Sequence, residues 1–93
     1  MITSFKDSRA EGLFYGIQAP DLPPDIQRAA MRKLKMLHNA TSLQDLRVPP
    51  GNRLEALKGN RAGQYSIRIN DQWRFCFVWK EGNACSVEIT DYH

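Results

Sequence analysis

The feature that most constrains this chain is an alternation of side chains running from Gln64 to Thr90. Tyr65, Ile67 and Ile69 take one parity, while Ser66, Arg68 and Asn70 take the other. Asn70-Asp71 supplies a turn, and Trp73–Trp79 follows with Trp73, Phe75, Phe77 and Trp79 on one parity and Arg74 on the other. A second turn at Glu81-Gly82-Asn83 leads into Ala84–Thr90, where Cys85, Val87 and Ile89 share a parity. A period of two sends successive side chains to opposite faces, so these runs and their short turns predict an antiparallel sheet.

The register of the last hairpin follows from matching faces. A loop of about three residues sets Phe77 opposite Val87 and Phe75 opposite Ile89, apolar against apolar. A loop of about two sets Val78 opposite Cys85 and Arg74 opposite Ile89, which mixes the faces. The longer loop is therefore expected. It places Arg68, Arg74 and Tyr92 together on the face away from the aromatic core. Such a face suits an anionic ligand, although arginines on a merely solvated strand face are the plainer reading.

At 93 residues the expected organisation is one domain, 1–93, with one modest core. Hydrophobic content of 42% with 25% charged residues favours a globular chain over a disordered one. The net charge of +3 is compatible with a polyanionic partner. No apolar run is long enough to span a bilayer and no signal-peptide pattern opens the chain, so no membrane association and a cytoplasmic location are expected. Cys76 and Cys85 fall on opposite faces in the expected register, which predicts free thiols rather than a disulfide. Two Cys and two His without clustered spacing predict no metal site, and no cofactor is expected.

Read in order, Ile2–Phe5 is a short strand joining the main sheet. Ser8 caps a brief helix through Phe14 and Tyr15 that stops at Gly16. Ala19–Pro24 is a linker, with Asp21 as an alternative cap for the helix that the prolines open. From Asp25 to His38, Ile26, Ala29, Ala30, Leu34 and Leu37 recur at three- and four-residue steps and form a stripe that covers the sheet's aromatic face. Arg28, Arg32 and Lys35 lie off that stripe, either as a solvated face or as contacts for RNA phosphates. His38 sits near the helix C-terminus, where its charge would complement the dipole. Ser42–Leu46 adds one more turn before an exposed Val48-Pro49-Pro50-Gly51 loop, and Leu54–Leu57 is a short strand. In the loop Lys58–Gly63, backbone N–H groups and two cations could surround one phosphate. Its spacing does not match a Walker A loop.

Three stretches carry a resemblance to a known family. They are the run from Asn52 to Ile69 (NRLEALKGNRAGQYSIRI), the NDQWR ending at Arg74, and the DYH of Asp91, Tyr92 and His93. In combination they resemble the HigB toxins of toxin–antitoxin pairs, in the RelE-like superfamily, a plasmid-maintenance killer family. The opening MITSF and the helical RKLKML fit the same pattern, so the resemblance spans essentially the whole chain. It implies an α+β RelE-like fold: a mainly antiparallel twisted sheet with N-terminal helices packed on one face. It also implies a ribosome-dependent endoribonuclease that cleaves mRNA in the A site, paired with a helix-turn-helix, HigA-like antitoxin.

RNA carries its own nucleophile in the 2′-OH, which can attack the adjacent phosphorus and expel the 5′-oxygen without a metal. A protein that catalyses this needs a base, an acid and cations for the phosphorane. Arg74 is the expected phosphorane ligand, because its planar fork holds two oxygens at once. Lys58 adds charge or a proton. Asp91, Tyr92 and His93 offer a carboxylate, a stacking ring with a hydroxyl, and a group that titrates near neutrality. The resemblance assigns catalysis to these same five positions, and Arg61, Arg68 and Glu55 are expected to touch RNA.

Plainer roles stand beside these: Lys58 as a strand end in water, Trp73 as core, Asp91 as a brace for the chain end, His93 as frayed. Some family members carry a histidine where this chain has Glu55, so any base role there falls to a carboxylate or passes to His93. Two competing functions remain, a ParE-like gyrase inhibitor, which shares the superfamily fold but has no need of Lys58, Arg74 and a terminal Tyr-His together, and an RNA-binding module without cleavage.

Overall fold

The computed structural model describes residues 1–91, and Tyr92 and His93 lie outside the described residues. Two helices, α1 (Ser8–Phe14) and α2 (Pro24–Asn39), precede a four-stranded sheet of β1 (Glu55–Ala56), β2 (Gln64–Arg68), β3 (Trp73–Lys80) and β4 (Asn83–Asp91). The strands are antiparallel and lie in chain order, β1-β2-β3-β4. No described helix is long and apolar enough to cross a membrane.

α1 is capped by Asp7 rather than by Ser8. The Asp7 Oδ1 accepts from the Arg9 N–H at 2.9 Å, while its Oδ2 accepts from the Ile89 N–H at 3.1 Å. A carboxylate can accept from two directions, so one side chain caps the helix and fastens it to β4, which a hydroxyl at Ser8 could not do as well. Gly16, with φ at +83°, ends the helix as expected.

α2 opens on Pro24 without a side-chain cap. Asp21 is not its cap but pairs with Arg9 at 3.1 Å. The linker is held instead by Gln27, which accepts from the Ala19 N–H and donates to the Ala19 and Leu22 carbonyls. Ile26, Ala30, Leu34 and Leu37 are buried along one stripe, and Ala29 packs partly buried beside them. Ala30, Leu34 and Leu37 join Ile67, Phe75, Phe77, Val87 and Ile89 in one core between helices and sheet. Full burial of a leucine- or phenylalanine-sized side chain contributes roughly 1.5–3 kcal/mol, so this stripe is what holds α2 on the sheet.

His38 lies in the last turn of α2, and its Nδ1 accepts from the Ile2 N–H at 3.1 Å. The residue ties the first segment of the chain to α2, and bridges from Ile2 to Ala84 and from Phe5 to Val87 lay that segment parallel against β4.

The last hairpin combines both registers weighed from the sequence. Its turn has two residues, Glu81 and Gly82, both with positive φ, and near it Val78 pairs with Cys85. The register then slips by one, with Ser86 in the left-handed region at φ +52°, and beyond the slip Phe75 pairs with Ile89. A bulge lets the turn take its favoured length while the core residues keep their face. It also moves Cys85 to the face of Val78 and Cys76, so the expected opposite-face placement of the two cysteines is incorrect, although both are free.

After α2, Ser42 opens a short 3-10 turn at Leu43–Arg47. The Asp45 carboxylate accepts from the Thr41 N–H and hydroxyl and the Ser42 N–H, bonds that lower its pKa. A second 3-10 turn, Pro50–Asn52, brings the chain to the sheet's polar face.

Candidate functional site

The register lines up polar side chains in two rows on the face away from the helices. Glu55, Ser66, Cys76 and Glu88 form one row across all four strands, and Arg68, Arg74 and Thr90 form the next. This face is not openly solvated, as the alternation alone suggested: Ser66, Arg74 and Cys76 are buried. The reason lies in the chain before β1. Arg53 takes a left-handed conformation after the Pro50–Asn52 turn, and its carbonyl closes over the row.

Arg74 is held from two sides. Its Nε donates to the Ser66 hydroxyl at 2.9 Å, and its Nη2 donates to the Arg53 carbonyl at 2.8 Å. Glu55 lies 3.5 Å from the same Nη2 and is about half exposed, at 48%. A neutral hydroxyl and a neutral carbonyl orient the guanidinium without cancelling its charge. The adjacent carboxylate occupies a position that another anion could take.

Glu55, Lys58 and Arg61 line a recess of about 380 Å³ beside this arginine, together with Ala56 and Leu57. Lys58 is exposed, and among the described residues its ammonium has no hydrogen bond or ion pair. Arg61 reaches across the sheet to Glu88 at 3.2 Å and also donates to Gln64 at 3.1 Å. The Glu88 hydrogen bond raises the Arg61 pKa, so this guanidinium keeps its charge. The expected phosphate nest of backbone N–H groups does not form in full. The loop closes as a 3-10 turn at Gly59–Arg61, in which the Arg61 and Ala62 N–H groups bond to the Lys58 and Gly59 carbonyls.

The structure therefore brings Glu55, Lys58, Arg61 and Arg74 together and sets two other candidates apart. Arg68 stands directly opposite Arg74, yet its guanidinium turns to Asp71. Asp91 pairs with Trp73, on the parity of the aromatic face, and accepts from Gln72 at 3.1 Å. The expected roles of Tyr92 and His93 lie outside the described residues.

Ser66, Arg53, Glu88 and Asn52 are the participants that sequence reasoning did not assign. Ser66 shares the parity of Arg68, a signal that could have paired it with Arg74. Nothing in the sequence marks Arg53, since left-handed backbone at an arginine is uncommon. Asn52 is fully buried, and its Oδ1 accepts from Lys33. Burial first, then the neighbouring Arg32 and Arg68, lowers the Lys33 pKa.

A small antiparallel sheet with two helices on one face and a cationic, carboxylate-edged recess on the other defines an α+β protein with the fold of RelE-like toxins. A chain of the YoeB–YefM toxin–antitoxin complex from Staphylococcus aureus shares that fold, with a TM-score of 0.61 and 19% identity over 100% of this chain and 98% of its own. A family model described as the RelE-like toxin of type II toxin–antitoxin system HigB matches residues 3–93. Toxin HigB-1 of Vibrio cholerae serotype O1 is 44% identical over 90 residues, 96% of this chain and 95% of its own length. Endoribonuclease HigB of Proteus vulgaris is 33% identical over 94 residues and is matched over its full length. The chain belongs to the HigB-like toxin family, RelE-like toxins of type II toxin–antitoxin systems.

Proposed function

We propose that this chain is a metal-independent endoribonuclease that cuts mRNA on the ribosome and thereby blocks translation. The observation that carries the reading is the Arg74 guanidinium, fixed by Ser66 and Arg53 beside a recess where Lys58 stands unpaired among the described residues. The relative from Proteus vulgaris is named an endoribonuclease, which supports the reaction class.

In this reading a phosphate displaces Glu55 from Arg74, and Arg74 with Lys58 stabilises the phosphorane as the 2′-oxygen attacks. Tyr92 and His93 supply stacking and proton-transfer groups from the chain end, and Asp91, bonded to Gln72, braces that end. Arg61, Arg68 and Glu55 guide the RNA strand. The whole chain, 1–93, acts as one domain in the cytoplasm, restrained by a helix-turn-helix antitoxin of the HigA kind. With so few acid–base groups of its own, the toxin relies on the ribosome to orient the mRNA.

The test is single-turnover cleavage, with wild type on programmed ribosomes and on free RNA, and with Arg74→Ala on ribosomes. Wild type should cut ribosome-bound mRNA far faster than free RNA, and Arg74→Ala should lose about 10²–10³-fold on ribosomes. Equal cleavage by the two proteins would remove Arg74 from the chemistry, and no cleavage by wild type would leave an RNA-binding module. Equal rates on the two substrates would remove the ribosome requirement.

A further inference from the structure

We propose that Asn52 is a positioning residue for Arg74, acting through the carbonyl of the next residue in the chain. This rests on the role proposed for Arg74 in cleavage. Asn52 lies outside the sheet, yet it is fully buried. Its amide Nδ2 donates to the Leu46 carbonyl at 3.1 Å and the Val48 carbonyl at 3.4 Å, and lies 2.9 Å from the Met36 sulfur. Its Oδ1 accepts from the Lys33 ammonium on α2. Around it the chain is exposed at Arg47, Val48, Pro49, Pro50, Gly51 and Arg53, so this amide is the anchor of the whole turn.

The anchor matters through its neighbour, Arg53. That residue adopts φ 46° and ψ 55°, and its carbonyl is the acceptor for Arg74 Nη2 at 2.8 Å. The Nε side of Arg74 is set by Ser66 and the sheet register, whereas the Nη2 side depends on where the loop carries that carbonyl. An amide bonded at both ends cannot rotate, so Asn52 fixes the height and direction of the Arg53 peptide over the sheet. A guanidinium displaced by about 1 Å from the developing charge costs a large factor in rate, on the order of 10²-fold. Asn52 thus touches no substrate and still governs the chemistry.

The test combines cleavage with a direct view of the guanidinium. Single-turnover rates on programmed ribosomes are measured for wild type, Asn52→Ala, Lys33→Met, Arg74→Ala and the Asn52→Ala/Arg74→Ala pair. Nitrogen-15 NMR follows the arginine Nε–H signals of the same folded proteins. Asn52→Ala should lower the maximal rate by roughly 10–100-fold, with the half-saturating ribosome concentration within about twofold of wild type. The double variant should be no slower than Arg74→Ala, since Asn52 acts through that residue. The Arg74 Nε–H signal should shift and exchange faster in Asn52→Ala, and less so in Lys33→Met. Should Asn52→Ala not fold, Lys33→Met and its pair with Arg74→Ala carry the same comparison. A double variant slower by the full Asn52 factor, or an unmoved Arg74 signal in a folded variant, overturns the inference. If Arg74→Ala cleaves like wild type, the role of Arg74 falls instead, and the Nε–H signal alone decides whether Asn52 holds the guanidinium.

Discussion

Arg68 and Arg74 face each other directly across β2 and β3, a pairing that costs stability unless each charge is diverted. Arg68 turns to Asp71, an aspartate that is 97% exposed, and Arg74 turns inward to Ser66, Arg53 and Glu55. The two solutions differ in worth. A surface ion pair is screened by water and contributes at most about 1 kcal/mol, whereas removing the acceptor of a buried charged donor costs roughly 1–3 kcal/mol. Ser66→Ala should therefore lower the urea midpoint clearly, and Asp71→Asn should hardly change it. The reverse order would mean that Arg74 finds another acceptor at once. Parity alone located both arginines on one face. It did not reveal that one would be sealed beneath a loop carbonyl, because that depends on the backbone of Arg53 and on no pattern of residue types.

The last hairpin shows the same division at the scale of an element. The alternation of β3 and β4 revealed both strands and the pairing of Phe75 with Ile89, since the hydrophobic face dictates it. Comparing a two-residue with a three-residue loop assumed strands of unbroken period, and the bulge at Ser86 breaks that assumption. An L-residue in left-handed backbone is strained by about 1–2 kcal/mol, most severely when branched at Cβ. Ser86 is exposed, so a substitution there changes strain more than packing. Thermal unfolding should find Ser86→Gly as stable as wild type or more so, and Ser86→Val less stable by about 1–2 kcal/mol. A valine that costs nothing would place this residue in ordinary extended backbone. The helices were easier to read, because the 3.6-residue stripe of α2 names its own buried face. The Asp7 cap was missed because its second bond goes to Ile89, 82 residues away.

Across the whole molecule, the two edges of the sheet are treated differently. β1 has two residues and offers little to a passing strand, whereas β4 has nine and would be a long open edge. The first segment covers it, with Thr3 and Lys6 donating to the Ala84 and Val87 carbonyls at 2.9 Å and Ser4 accepting from Val87 at 3.1 Å. Deleting residues 2–6 should expose that edge and cause self-association, measurable by analytical ultracentrifugation. A monomeric variant with unchanged melting would show that the cover is dispensable.

That cover also sets a timetable. Ser4 and Ser86, which share a hydrogen bond, are 82 residues apart in sequence. The segment at residues 2–6 is made well before β4 and must wait for it before the edge closes, and such long-range closure is slow to form. A growing chain that still lacks β4 has neither its edge cover nor the Glu88 carboxylate that steadies Arg61. If translation is the target, the toxin cannot act on the ribosome that makes it until β4 has emerged and folded.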